Sequence, residues 1–184
     1  MSPTHFLALS FKGASLQHQY ESLLAALPKL DRAIVRPLST LHFTLGVLSL
    51  SPAHITDVVH KLHAIPHAGA IQANLSGLHS MSGGDSAHVV YTALREDEGA
   101  RRLQALGECI RSAFVDMDYF LDKRPLHLHC TVLNTRYAKG RRRRIATEDI
   151  LRLPFEAAVE IDAFGLFEMG AGYEGYTCIA SVAI

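Results

Sequence analysis

Hydrophobic residues follow two different periods along this chain, and the two kinds of segment alternate. In some segments they recur at every second position or run on without a break, which is typical of β-strands. In others they recur every three or four positions, which is typical of amphipathic helices. Strands are predicted at residues 6–11, 41–48, 71–78, 87–94, 126–134, 155–167 and 176–184, and helices at 16–27, 52–64, 96–115 and 147–151. The predicted order is therefore βαβαββαβαββ.

Serine and proline residues mark the ends of the first two predicted helices. Ser15 and Ser51 stand where a side chain would cap the first free amides, and Pro52 fits the first turn. Pro28 and Pro66 end the two helices, because proline has no amide hydrogen to continue them. The inner stripe of the first helix is Leu16, Tyr20, Leu23, Leu24 and Leu27, and that of the third is Leu103, Leu106, Ile110 and Phe114.

Two of the predicted strands carry the same short sequence. Residues 41–45 read Leu-His-Phe-Thr-Leu and residues 128–132 read Leu-His-Cys-Thr-Val, almost half the chain apart. On a strand, residues two apart point to the same face. The histidine and threonine of each copy should therefore share one face, while Phe43 and Cys130 point to the core. Two such strands could bring two imidazoles and two hydroxyls into one site.

The repeat indicates an internal duplication, because the order strand, helix, motif strand, helix recurs in the second half. We expect an α+β protein with a bilobed, duplicated fold: two antiparallel sheets flank a central cleft, and the helices lie outside. The motif strands would lie side by side across that cleft. No interior linker divides the sequence, so residues 1–184 are predicted to form a single domain with two pseudo-symmetric lobes.

Composition narrows the class of protein. Hydrophobic residues make up 48% of the chain, which is enough for a substantial core, and 18 basic residues balance 18 acidic ones. Overall charge therefore gives no argument for a polyanionic partner. The three cysteines are widely spaced and form no CxxC pair, which favours free thiols in a reducing compartment. With no signal-type start and no long apolar run, we expect an intracellular protein that does not engage a membrane.

The paired motifs favour phosphodiester chemistry. Histidine titrates near neutral pH, so one imidazole can take a proton while the other gives one. Threonine hydroxyls can donate hydrogen bonds to the nonbridging phosphate oxygens, where charge gathers in the transition state. The catalytic candidates are therefore His42, Thr44, His129 and Thr131, with no metal and no cofactor. Two unrelated buried histidines are the alternative, and the doubled motif in matching strands argues against it.

The two motifs resemble those of the 2H (two-histidine) phosphoesterases, whose fold is called LigT-like. That superfamily includes bacterial RNA 2′,3′-cyclic phosphodiesterases and the central domain of an A-kinase anchoring protein. Residues 41–48 and 128–135 are most similar to the phosphoesterase-like domain of activating signal cointegrator 1 complex subunit 1. The resemblance covers essentially the whole chain. It implies a bilobed fold, the four motif residues in a central cleft, and RNA or a nucleotide as ligand.

The nearer resemblance also implies partners and a location. Members of the cointegrator branch carry a KH domain ahead of the phosphoesterase domain, whereas the first predicted strand here begins within ten residues of Met1. We therefore expect either the phosphoesterase-like part of a longer protein or a single-domain relative, and in both cases a monomer. The resemblance further implies a protein complex of the activating signal cointegrator type, and a place in the nucleus, the cytoplasm or both.

Four further residues are candidates for substrate contact, each with a plainer alternative. His127 shares the face of the second motif, and it either reaches the rim of the cleft or is a partly exposed residue at the strand end. Arg136 precedes the basic run 139–144, which is either a phosphate-contacting patch, a nuclear-import signal or a solvated loop. Tyr173 and Tyr176 either stack on a base or simply pack.

A histidine cluster at His60, His63 and His67 has a spacing that would suit a metal on a continuous helix. Pro66 interrupts that helix, so His67 should leave the shared face, and no metal site is predicted here. The leading hypothesis is therefore a metal-independent phosphoesterase or nuclease acting on RNA or nucleotide phosphodiesters, including 2′,3′-cyclic phosphates and RNA 3′ ends. The alternatives are a non-catalytic RNA- or nucleotide-binding module and, less well supported, a zinc protein.

Overall fold

The computed structural model describes residues 2–27, 29–81, 86–137, 145–170 and 175–184. The strands are β1 (His5–Lys12), β2 (His42–Leu48), β3 (Ile71–Ser80), β4 (Ser86–Ala87), β5 (Val89–Leu94), β6 (His129–Asn134), β7 (Ile145–Ala146), β8 (Glu156–Glu168) and β9 (Thr177–Ala183). The helices are α1 (Ala14–Ala26), α2 (Pro52–His63), α3 (Glu98–Ser112) and α4 (Glu148–Leu151). The predicted order is confirmed, with the short pair β4 and β7 added to it.

Seven of these strands form one antiparallel sheet in which β8 is shared by two halves. The strand order is β2-β1-β8-β3-β5-β6, and β9 also pairs with β8. β1 pairs with β8 from Glu160 onward, whereas β3 pairs with the first part of β8 and β9 with the last part. The predicted α+β fold with antiparallel sheets is therefore confirmed, and the two sheets prove to be joined through one strand of 13 residues.

The two motif strands occupy equivalent places in the two halves, because β2 is bonded to the outside of β1 and β6 to the outside of β5. The segment before β2 crosses to β6, where the Arg36 amide donates to the Val132 carbonyl at 2.9 Å. Val35 forms an isolated bridge with Leu133 in the same stretch. These bonds bring the outer edges of the two halves together and leave a cleft between β2 and β6.

The helices pack against the sheet and bury the stripes that the sequence predicted. α1 lies against β8 and α3 against β3 and β2. All four predicted residues of the α3 stripe are buried, as are Leu16, Tyr20 and Leu23 of α1, while Leu24 and Leu27 are partly buried against the same core. The stripes are confirmed because helical periodicity alone decides which side chains face the sheet.

Two local predictions are wrong. Gly13, not Ser15, occupies the N-cap of α1, because the Ser15 hydroxyl donates instead to the Ala158 carbonyl at 3.0 Å. The second motif strand begins at His129 rather than at residue 126. His129 lies opposite Ala93, near the end of β5, so the residues before it have no strand to pair with.

The outer edge of β2 is covered by the segment that follows α3. The Leu121 amide donates to the Val47 carbonyl, and the Ser49 amide donates to the Tyr119 carbonyl, both at 2.9 Å. Gly46 leaves room for the ring of Phe120, which a β-carbon at that position would overlap. This segment then becomes one wall of a cavity beside the motif strands.

Candidate active site

The histidines of the two motifs are held by the same hydrogen bond. Nδ1 of His42 lies 2.7 Å from the carbonyl oxygen of Thr40, and Nδ1 of His129 lies 2.8 Å from that of His127. A carbonyl oxygen can only accept, so each Nδ1 carries a hydrogen and donates it two residues back along the chain. The Nε2 atom of each neutral imidazole therefore keeps its lone pair. A repeated sequence has produced a repeated tautomer.

The four motif side chains line one cavity of about 120 Å³, which we call the motif cavity. His42, Thr44, His129 and Thr131 are all half-buried. The cavity is completed by Arg36, Thr40, Asn134, Tyr137 and Tyr176. None of these described lining residues is a carboxylate, and Arg36 supplies a positive charge, so the motif cavity suits an anion.

The opposite faces of the motif strands behave as the alternation predicts. Phe43 and Cys130 are fully buried. Burial raises the pKa of the Cys130 thiol to about 12, although a hydrogen bond with the His42 backbone opposes the shift. Cys130 is therefore a protonated core residue beneath the site and cannot serve as a thiolate nucleophile.

Burial also sets the protonation state of the motif histidines. The pKa of His42 is lowered to about 4, chiefly by removal from water and to a smaller extent by the charges of Arg36 and His129, while the hydrogen bond to Thr40 opposes the shift. Burial likewise lowers the pKa of His129 below 6.5, with smaller contributions from His127 and Arg124. Both imidazoles are therefore neutral at pH 7 in the ligand-free protein.

The hydroxyl of Thr44 already interacts with the histidine of its own motif. Its Oγ1 lies 3.0 Å from Nε2 of His42. Because Nδ1 of that ring holds the hydrogen, the Thr44 hydroxyl donates to Nε2. An anion entering the motif cavity could take this hydrogen bond over, which would free Nε2 of His42 to accept a proton from elsewhere.

Comparison with known proteins identifies the family of this chain. Residues 3–171 match the family described as the AKAP7 2'5' RNA ligase-like domain. The chain belongs to this family. The resemblance to the 2H superfamily is thereby confirmed, whereas the nearer resemblance to the cointegrator subunit stays a prediction. A search of curated protein sequences gave no match.

Solved structures share the fold of this AKAP7-type domain. Escherichia coli LigT complexed with 3'-AMP is 20% identical with a TM-score of 0.67, covering 99% of this chain and 98% of that one. A crystal structure described as a phosphoesterase is 18% identical, with a TM-score of 0.65 and coverage of 100% and 99%. Kluyveromyces marxianus Usb1 is 17% identical, with a TM-score of 0.56 and coverage of 99% and 98%. At these identities the likeness establishes the LigT-like fold.

Arg36 and Tyr137 are residues of the motif cavity that the sequence did not reveal. Arg36 is only 4% exposed, its guanidinium lies 4.2 Å from the centre of the Tyr137 ring, and its Nη2 donates to the Tyr176 hydroxyl at 3.3 Å. Both residues lie outside the repeated pentapeptides, and no local pattern marks them. Only the crossing of the segment before β2 onto β6 brings Arg36 to the motif cavity of this AKAP7-type domain.

The remaining substrate-contact candidates have different outcomes. Tyr176 lines the motif cavity, with its ring centre 5.3 Å from that of His42 and 4.7 Å from that of Phe6. Arg136 is exposed and does not line the motif cavity, although its amide donates to the side chain of Asn134 at 2.9 Å. Tyr173 lies outside the described residues, as does the basic run 139–144.

His127 lines a second, larger cavity beside the first, which we call the side cavity. It has a volume of about 330 Å³ and shares Thr44 and His129 with the motif cavity. The ring of His127 stacks on that of His129, with centres 5.6 Å apart and an angle of 25° between the ring planes. The wall of the side cavity includes the exposed side chain of Met81 and the segment that covers the edge of β2. Thr44 and His129 of this AKAP7-type domain therefore lie between two adjacent cavities.

The histidine cluster on α2 is divided as the sequence predicted. The helix starts at Pro52 and ends at His63, so His67 lies beyond it, after Pro66. Within the residues that the structure describes, no three His, Cys, Asp or Glu side chains are arranged to hold a metal ion. Of the described helices, none is both long and apolar enough to cross a membrane.

Proposed function

We propose that this AKAP7-type domain is a metal-independent phosphodiesterase acting on RNA or nucleotide phosphodiesters. The observation that carries the proposal is the matched pair of imidazoles, each fixed by a carbonyl bond at Nδ1 and each facing one anion-suited cavity. In this proposal His42 and His129 exchange protons with the substrate, and Thr44 and Thr131 donate hydrogen bonds to the phosphate.

Hydrolysis of a 2′,3′-cyclic phosphate illustrates the roles. A water oxygen attacks phosphorus while Nε2 of one imidazole takes the water proton. The P–O bond to the leaving ribose oxygen breaks, and that oxygen takes a proton from the imidazolium on the other side. In transesterification of an RNA linkage the ribose 2′-hydroxyl replaces water as the nucleophile, and the bond that breaks is the one to the 5′ oxygen of the next nucleotide, which takes the proton.

We assign the base to His42 and the acid to His129. His42 resists protonation more strongly, because its pKa is lowered to about 4 and Arg36 lies beside it. His129 is the residue shared with the side cavity, and its pKa is lowered without the influence of that guanidinium. The neutral imidazole that accepts a proton and the imidazolium that supplies one are thus assigned to different environments.

A panel of end-labelled RNAs and cyclic nucleotides tests the function. We expect turnover of at least one 2′,3′-cyclic phosphate or RNA 3′-end substrate, unchanged by EDTA, because both proton transfers are given to imidazoles. The double variant His42→Ala plus His129→Ala, prepared in parallel, should give no product. Loss of wild-type activity on chelation would contradict the metal-free proposal, and turnover by the double variant would contradict the residue assignment.

Binding should be linked to proton uptake. A phosphodiester anion between the imidazoles stabilises their charged forms, so it raises both lowered pKa values. At about pH 6 the free His42 imidazole is neutral, and the complex holds more protons than the free protein, so affinity should rise as pH falls from 7 toward 5.

Calorimetry in two buffers of different ionisation enthalpy measures this uptake. A 2′-deoxy dinucleotide is the appropriate ligand, because it has no 2′-hydroxyl to react and its phosphodiester does not titrate in this range. We expect a buffer-dependent binding enthalpy that disappears in the double-histidine variant. Equal enthalpies in both buffers for the wild-type protein would contradict the linkage.

A non-catalytic binding module is the second candidate, and one observation favours it. With both pKa values lowered, an imidazolium is scarce at pH 7, so little acid is present to protonate a leaving oxygen, whereas Arg36 and the threonine hydroxyls can hold a phosphate without one. In that role the domain would hold RNA within a complex of the activating signal cointegrator type, as a monomer in the nucleus or cytoplasm. Binding of a short RNA without product between pH 5 and 8 would favour this candidate over the enzyme.

A further inference from the structure

A row of side chains crosses three strands and ends at the second motif. His79 of β3 lies directly opposite Tyr91 of β5, and Tyr91 lies directly opposite Thr131 of β6. Residues opposite one another on neighbouring strands point to the same face of a sheet. Thr131 lines the motif cavity, so His79 and Tyr91 continue that face away from it. Two strand spacings separate β3 from β6, which places the far end of the row about 10 Å from β6.

The rings of this row touch one another and the motif histidine. The rings of His79 and Tyr91 are stacked, with centres 5.5 Å apart, and Tyr91 meets His129 edge-on at 5.2 Å. His127 stacks on His129 with ring centres 5.6 Å apart and also meets Tyr91 edge-on at 6.0 Å, so the three rings form one cluster. His79 and His127 are exposed and Tyr91 is half-buried. We call His79, Tyr91 and His127 the ring platform.

The ring platform adjoins the side cavity, which is larger than the motif cavity. His127 and the motif residues Thr44 and His129 line the side cavity, and Met81, which is 51% exposed, adds an apolar wall. A contiguous group of exposed aromatic and apolar side chains beside a cavity is typical of a binding surface. Because this surface lies next to the anion-suited motif cavity, its ligand should carry both a phosphate and flat rings.

A single-stranded nucleic acid has flat, unpaired bases on a phosphate backbone. It therefore fits both the anion-suited motif cavity and the exposed rings of the platform. If a phosphate occupies the motif cavity, the next base along a single strand comes within reach of the side cavity and the platform. Aromatic side chains bind unpaired bases by stacking on them, with little dependence on base identity. A mononucleotide would leave part of this surface uncovered.

We propose that the ring platform stacks the unpaired bases of a single-stranded oligonucleotide whose scissile phosphate lies in the motif cavity. This inference rests on the proposed function and narrows its substrate class to a strand of several nucleotides. A phosphodiester linkage flanked by unpaired nucleotides is then the preferred substrate, ahead of a cyclic mononucleotide.

Fluorescence anisotropy with labelled single strands tests the platform without requiring turnover. His79→Ala should weaken binding of a ten-nucleotide strand on the order of 5-fold or more, and should weaken binding of a dinucleotide much less. Tyr91→Phe keeps the ring and should retain affinity, whereas Tyr91→Ala should not. His18→Ala is the matched control, because His18 is an exposed histidine on the outer helix α1. Thermal unfolding of each variant checks that it is folded.

Abasic nucleotides separate stacking from charge. A strand with abasic positions keeps its phosphates but loses its rings, so wild-type protein should bind it more weakly when the positions lie on the platform side of the scissile linkage. His79→Ala should then lose nothing further on the abasic strand, because the partner of the ring is already absent. Equal affinity of wild-type protein for intact and abasic strands on both sides would overturn the platform.

Failure of the ring platform can be distinguished from failure of the proposed phosphodiesterase function. If His42→Ala and His129→Ala abolish turnover while His79→Ala changes no affinity, the phosphodiesterase stands and the platform is wrong. If no substrate is turned over, but abasic positions and His79→Ala weaken binding of the strand without adding to each other, the platform is supported and the domain is a binding module. If a double-stranded RNA binds as well as a single strand, the inference of unpaired bases is wrong.

Discussion

Alanine in place of either motif histidine should slow phosphodiester turnover on the order of 10²-fold or more. Each imidazole supplies a proton transfer that water would otherwise have to make, and the two transfers occur at different oxygens. His42→Ala removes the proposed base and His129→Ala the proposed acid. Initial rates under EDTA, on whichever RNA substrate the wild-type protein turns over, measure both losses.

A leaving group that needs no proton separates the two roles. On a nucleoside 3′-(para-nitrophenyl phosphate), the departing nitrophenolate is stable without a general acid. His129→Ala should therefore recover much of its rate on this ester, whereas His42→Ala should stay slow because the 2′-hydroxyl must still lose its proton. Recovery by His42→Ala instead would reverse the assignment.

The control for both variants is His60→Ala, which removes an exposed histidine from α2. It should keep the wild-type rate on both substrates. Wild-type rates in both motif variants would remove these histidines from the chemistry altogether.

The repeated pentapeptide explains why so much of the fold and site could be predicted from sequence. Strand periodicity determines which side chains share a face, so the cavity-facing positions of Thr44 and Thr131 and the burial of Phe43 and Cys130 follow from position alone. Duplication then predicts that the two motif strands hold equivalent places. Even the matched hydrogen bonds at Nδ1 repeat with the sequence.

Features made by contacts between distant segments could not be predicted in the same way. No periodicity in residues 156–168 indicates that β8 will pair with β3 and β9 in succession along one edge. Arg36 reaches the motif cavity only because its amide bonds to Val132. The pairing of His79 with Tyr91, and of Tyr91 with Thr131, depends on register across three strands. Local sequence determines which face of a strand a side chain occupies. The register between strands and the crossing of one segment over another depend on tertiary contacts.

Arg36 is the cavity residue for which a substitution should have the largest effect after the histidines. Its side chain is buried, and its charge faces a cavity whose described lining holds no carboxylate. Arg36→Met keeps most of the side-chain volume and removes the charge. We expect kcat/KM to fall on the order of 10²-fold, because a charged hydrogen-bond donor to the phosphate is lost.

The same substitution should also move the pH profile, which a merely structural role for Arg36 would not predict. The guanidinium lowers the pKa of His42, second to burial among the lowering causes. Removing the charge lets the imidazole hold its proton to higher pH, so the acid limb of kcat/KM shifts upward, while Arg36→Lys should leave that limb nearly in place. Because lysine keeps the charge but lacks the planar fork, its rate should fall between those of the wild-type protein and Arg36→Met. An Arg36→Met variant with unaltered kcat/KM and an unmoved acid limb would show that the phosphate binds away from this guanidinium.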